Sequence, residues 1–112
     1  MKYLFITSFL LLLSISTQAQ TKSTETFKVY GNCGMCQKTI EAAALDAKGV
    51  KSATWDMEED MITIVFDSSK TDLDKIKTAI AESGYDTDTH RAPDIAYNKL
   101  HGCCKYERPQ PN

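Results

Sequence analysis

The sequence predicts an α+β fold in which two helices cover one face of a four-stranded antiparallel sheet. Three observations carry this. Stretches alternating between apolar and polar residues recur at 26–30, 50–57 and 61–67, the signature of half-buried strands. Two stretches with helical spacing, 36–48 and 71–82, separate them. About 66 residues, 26–91, hold the whole pattern, the size of one small domain in a chain of 112.

The chain opens with Lys2, an apolar run through Leu10-Leu11-Leu12-Leu13, then Ser14, Ser16, Thr17 and Ala19. A positive start, a short apolar core and small residues before a cut are the order of a secretory signal. Thr17 and Ala19 place cleavage before Gln20. The apolar run is shorter than the roughly 20 residues a bilayer span requires, so residues 1–19 read as a cleaved leader rather than an anchor. Secretion through the Sec pathway follows, with the periplasm as destination and a mature chain of 93 residues, 20–112. Disulfides can form in such a compartment.

Residues 20–25 are polar and read as a lead-in. Thr26-Phe27-Lys28-Val29-Tyr30 is the first strand, and Gly31-Asn32-Cys33-Gly34-Met35-Cys36 a glycine-punctuated loop. Ile40, Ala43, Ala44 and Ala47 fall on one face of the first helix, which Gly49 stops. Val50–Met57 is the second strand, with Ala53, Trp55 and Met57 on one face and Trp55 assigned to core packing. Glu58-Glu59-Asp60 is a solvated acidic turn, too poor in oxygen ligands for a hard cation. Met61–Asp67 is the third strand. Thr71-Asp72-Leu73-Asp74 resembles a capping box opening the second helix, whose buried face is Leu73, Ile76 and Ile80. Ser83-Gly84 ends it, and Tyr85–Arg91 is a weaker fourth strand. The order βαββαβ is the split βαβ, ferredoxin-like plan with right-handed crossovers. It places the Cys33–Cys36 loop, the end of the second helix and Tyr85 at one end of the sheet, and sends the tail off from the other. Residues 92–112, with Pro93, Pro109 and Pro111, read as an extension.

Composition narrows the function. The formal net charge is −2, which offers no electrostatic basis for nucleic-acid binding. No Ser-His-Asp arrangement, phosphate loop or pair of catalytic carboxylates emerges from the spacing, so the chain is not read as an enzyme. Lys38, Lys48, Lys75 and Lys77 read as solvated helix faces, and His90 as structural or exposed. The four cysteines are the unusual feature, grouped as Cys33/Cys36 and Cys103/Cys104.

Thiolates are soft ligands and favour Cu(I), Hg(II), Zn(II) and Cd(II) over magnesium or calcium. Two cysteines three positions apart at a strand-to-helix loop can turn both sulfurs to one ion, and the adjacent helix N-terminus lowers the thiol pKa. Two ligands suit Cu(I), whereas structural zinc takes four. The same spacing also serves a structural disulfide or a thiol–disulfide redox pair. A thioredoxin-like domain, however, is generally longer than this mature chain.

The run Val29-Tyr30-Gly31-Asn32-Cys33-Gly34-Met35-Cys36, followed by Thr39-Ile40-Glu41, resembles the metal-binding loop of heavy-metal-associated domains. These occur in copper chaperones, copper-transporting P-type ATPases and periplasmic mercury-binding proteins. The resemblance covers about 26–91, including Gly49-Val50 and Ser83-Gly84-Tyr85. It implies that Cys33 and Cys36 bind the metal, that Tyr85 flanks the site, and that the partner is a metal-donor or metal-acceptor protein such as a membrane transporter. Those domains usually carry Gly-Met-x-Cys-x-x-Cys. Gly31-Asn32-Cys33 is one residue shorter and lacks that methionine, while Met35 lies between the cysteines and reads as a flanking or gap-filling side chain.

His101-Gly102-Cys103-Cys104 lies outside the common domain. Its ligand types suit a second metal site or completion of the first, and 92–102 could extend roughly 35–40 Å, enough to reach Cys33 within one molecule. Sharing between two molecules would give a metal-bridged dimer in place of a monomer. Neighbouring cysteines bridge only with strain, so a disulfide from the tail would go to Cys33 or Cys36. The sequence thus favours an exported Cu(I) binding and transfer protein. Its rivals are a thiol–disulfide redox protein and a detoxification protein that sequesters metal on all four cysteines.

Overall fold

The computed structural model describes residues 21–111; the leader assigned to 1–19 lies outside them. Strands β1 (Lys22–Lys28), β2 (Val50–Asp56) and β3 (Met61–Asp67) form an antiparallel sheet in the order β1-β3-β2. Helices α1 (Gly34–Asp46) and α2 (Leu73–Glu82) supply the other layer, and a short α3 (Asp94–Asn98) and a 3-10 turn (Gly102–Cys104) follow. No helix among the described residues is long and apolar enough to cross a membrane.

The alternation read at 61–67 is real. Ile62, Ile64 and Phe66 are buried, and they meet Phe27 of β1 and Trp55 of β2 in a core closed by Ile40, Ala44, Ile76 and Ile80 from the helices. Each such aliphatic side chain contributes about 1.5–3 kcal/mol by leaving water. Trp55 is the largest of the fully buried side chains, and its Nε1–H donates to Val29 O at 3.0 Å. β1 begins four residues earlier than its apolar pattern suggests: Lys22 to Glu25, expected as a loose lead-in, pair with Asp67 to Ile64. Backbone pairing there needs no buried side chains, so the hydrophobic pattern could not report it. The cap of α2 also shifts by one. Asp72, not Thr71, accepts from the Lys75 N–H at 2.9 Å. Lys77 is buried rather than solvated; its Nζ sits 4.9 Å from the centre of the Phe27 ring and 2.9 Å from Asp88.

The fourth strand is the main correction. Residues 85–91 reach the free edge of β1 through one bridge, Val29 to Thr87, with Tyr30 N–H donating to Asp86 O and Asp88 N–H to Lys28 O. The chain then reverses: Thr87 N–H donates to His90 O at 2.7 Å, and Thr87 Oγ1 accepts from His90 N–H. Ala92 N–H reaches the Asp86 carboxylate at 2.6 Å, so residue 92 lies beside residue 86. The tail therefore leaves from the Cys33–Cys36 end of the domain, not from the far end that a full strand would impose.

Candidate metal centre

Cys33 is the N-cap of α1, in extended conformation, and Cys36 lies in the first turn of that helix. The loop before it crosses the core closely. A Cβ on Gly31 would stand 3.0 Å from the Trp55 ring and 3.2 Å from Ile40, so the indole fills the space under the loop. Cys36 is fully buried and its thiol donates to Asn32 Oδ1 at 3.2 Å; Cys33 is half-buried. The two sulfurs are 3.2 Å apart.

The tail completes the cluster. Cys104 is buried, with its sulfur 3.4 Å from that of Cys33. Cys103 is exposed, 3.9 Å from Cys104, and its thiol donates to the Met35 Sδ at 3.7 Å. The sulfurs of Cys33, Cys103 and Cys104 all lie within 4.8 Å of one another. His101 is exposed and stands outside this group. His90 is partly exposed and pairs with Asp74 at 2.8 Å, remote in role from the sulfurs.

The tail is held by groups that the sequence reading did not single out. Arg108 straddles the Asp86 carboxylate, with Nε donating to Oδ2 at 2.9 Å and an Nη to Oδ1 at 2.8 Å. It also donates to Asp94 and to Ala92 O, and its guanidinium lies 4.7 Å from the centre of the Tyr97 ring. Tyr106 is buried. Its hydroxyl donates to Gly84 O and accepts from Asp86 N–H, both at 2.8 Å, while its ring stacks on Tyr85 at 5.6 Å. Leu100 packs so closely on Gly84 that a Cβ there would meet it at 2.9 Å, and Gly84 also has φ +113°. No local pattern could announce these contacts, because an Asp and an Arg 22 positions apart look like any two surface charges.

Electrostatics separates the thiols. Hydrogen bonding with the Cys36 sulfur, then with the Cys36 and Met35 N–H groups at the start of α1, brings Cys33 down to about 7. Burial, with the Cys36 and Cys33 sulfurs adding to it, pushes Cys104 up to about 12. Tyr85 is fully buried against Cys36 and Cys104; burial and those sulfurs raise its phenol well above the ordinary range, so it presents a neutral wall. Cys33 is thus the readiest thiolate, placed to take a soft cation first.

Comparison with known proteins gives a consistent picture. The family model of the heavy-metal-associated domain matches residues 26–86. The chain is 35% identical over 65 residues to the copper chaperone CopZ of Staphylococcus aureus (strain JH9), covering 57% of this chain and 96% of that protein. Among solved structures it is similar to oxidised MerP from Ralstonia metallidurans CH34, with a TM-score of 0.57 and 29% identity over 60% of this chain and 94% of that one. It is also similar to a copper-binding domain from HMA7, a P-type ATPase, with a TM-score of 0.56 and 26% identity over 58% of this chain and 89% of that one. The family match ends at residue 86, so the tail that carries Cys103 and Cys104 lies beyond it.

Proposed function

Since this chain belongs to the heavy-metal-associated domain family, we propose that it binds Cu(I) between Cys33 and Cys36 and passes it to a partner protein by stepwise thiolate exchange. The observation that carries this reading is the sulfur pair 3.2 Å apart at the head of α1, one member exposed enough to meet an incoming ion and the other fully buried. A soft, low-coordinate ion suits two thiolates flanked by a neutral phenol and an apolar core. Similarity to a copper chaperone and to a P-type ATPase domain supports transfer to or from a membrane transporter as the physiological exchange. Hg(II), Zn(II) and Cd(II) are the alternative cargoes by ligand softness. The leader pattern in residues 1–19 supports action after export, in the periplasm.

Cys104 favours a closer hold than two sulfurs give. Its position 3.4 Å from Cys33 adds a third sulfur ligand in the same molecule, the arrangement a sequestering protein would also use. Native mass spectrometry of chain 20–112, reduced and loaded anaerobically with Cu(I), tests both readings. One ion is expected on the unmodified chain and none on Cys33→Ser/Cys36→Ser. Cys104→Ser is expected to keep the ion with weaker retention against a competing chelator. Retention unchanged in the loop double variant would overturn the assignment. Loss of all binding in Cys104→Ser would move the function to sequestration on a joint site.

A further inference from the structure

The cluster has an outer part that the loop pair does not need. Cys103 is exposed, Met35 is 48% exposed, and their sulfurs lie 3.7 Å apart on the solvent side of Cys104. Cys36, by contrast, is fully buried. Sulfur-to-sulfur steps of 3.2 Å from Cys36 to Cys33, 3.4 Å to Cys104, 3.9 Å to Cys103 and 3.7 Å to Met35 thus lead from the core to the surface. The group of three sulfurs within 4.8 Å of one another contains Cys33, Cys103 and Cys104. Cys33 therefore belongs both to the inner pair and to the outer group.

We propose that Cys103 and Met35 form an outer Cu(I) station, built by the tail against the loop, through which the ion enters and leaves the buried site. This rests on the Cu(I) reading above. On exit, the Cys103 thiol loses its proton to solvent as its sulfur bonds to the ion. The bond to Cys36 then breaks, and that thiolate takes up a proton. The ion remains Cu(I) throughout, held by Cys33 and the tail sulfurs. The thioether of Met35 is a neutral soft ligand, able to steady a departing Cu(I) without adding the charge that would trap it. An acceptor thiolate then meets an ion at the surface rather than one at the fully buried Cys36.

The chemistry sorts the outer pair from the inner one. Both residues are exposed, so Met35→Leu/Cys103→Ser leaves the core intact, as a thermal melt and the unaltered burial of Cys104 against alkylation will verify. The unmodified chain and this variant, each loaded with one Cu(I), are mixed with excess bathocuproine disulfonate, and both the final partition and the rate of colour development are followed. The expected result is a partition within about threefold of the unmodified chain and a transfer rate at least about tenfold slower, the change that about 1.4 kcal/mol of barrier makes. A rate within about twofold overturns the station, because an equivalent barrier change is under about 0.5 kcal/mol. A large loss of equilibrium affinity also overturns it, by making Cys103 and Met35 resting ligands. If the unmodified chain takes up no Cu(I), the function itself fails first, and that outcome is distinct from either.

Discussion

Cys36 and Cys104 are both buried and face the same cluster, yet different forces put them there. Cys36 belongs to the wall made by the loop and α1, where Ile40, Ala44 and Trp55 pack beneath the chain and Gly31 touches the indole. That wall rests mainly on apolar packing, with Glu41 accepting from the Trp55 N–H at 2.9 Å. Cys104 belongs to the wall made by the tail, which is fixed by the Asp86–Arg108 pair and the Tyr106 hydroxyl as well as by ring packing. The difference teaches that one site can be assembled from a half that folds with the core and a half latched on by polar contacts. The second half is expected to detach before the first unfolds, although Cys104 and Tyr106 pack into the same core.

Removing the latch should give the largest separation. Arg108→Met leaves the Asp86 carboxylate 1% exposed and without its ion partner, which costs about 3–5 kcal/mol when a buried pair is broken. The expected outcome is faster alkylation of Cys104, read by peptide mass spectrometry, with Cys36 still protected. Equal exposure of both cysteines would show that tail and loop unfold as one unit and would end the comparison.

Acid should do the same more gently. Burial pushes the Asp86 carboxyl up, but hydrogen bonds from Arg108 and Ala92 and the Arg108 charge more than offset it, so its pKa in the fold is below that of a free Asp. A group lowered on folding contributes stability above its unfolded value, about 3.9, and loses it as pH falls through the folded value. Cys104 protection should therefore hold at neutral pH and decline only below about pH 4, while the loop wall lags behind. The effect is smaller than that of Arg108→Met, since a neutral carboxyl still accepts from Ala92 N–H. Release of the tail between neutral pH and pH 5 would contradict this latch.

The contrast between the walls also explains what the sequence could and could not reveal. Cys33 and Cys36 were legible because spacing, loop and following helix lie within one short stretch whose chemistry is local. β2, β3 and both long helices were legible because their periodicity is written by the core they share. The end of the domain was not. Tyr85–Arg91 has the composition of a strand, but the chain turns at Thr87–His90 because Asp86 finds Ala92 and Arg108, partners that only the folded tail supplies. Cys104 could be named as a ligand by type, but the direction of the tail depended on that turn. His101, a weaker candidate by type, is exposed and lies outside the group of three sulfurs.

The loop wall has its own, smaller tests, and its two glycines differ sharply. Gly31→Ala drives a methyl to 3.0 Å from Trp55 and 3.2 Å from Ile40, so the wall must shift. Overpacking of this kind costs about 1–3 kcal/mol. Denaturant titration should show that loss, together with weaker Cu(I) retention, while the Asp86–Arg108 latch is untouched. Gly34 is the opposite case. It is the first residue of α1, lies between the two cysteines, and a Cβ there meets nothing within 4 Å. Its φ is not in the left-handed region, so alanine fits the backbone it already has. Gly34→Ala should then stabilise the chain slightly, by about 0.4–1 kcal/mol, through the narrower freedom of the unfolded state. The loop would thereby become stiffer without a change in ligands. If Cu(I) retention nonetheless falls in Gly34→Ala, the inter-cysteine backbone must move when the ion binds, and the loop is the adaptable wall rather than the fixed one.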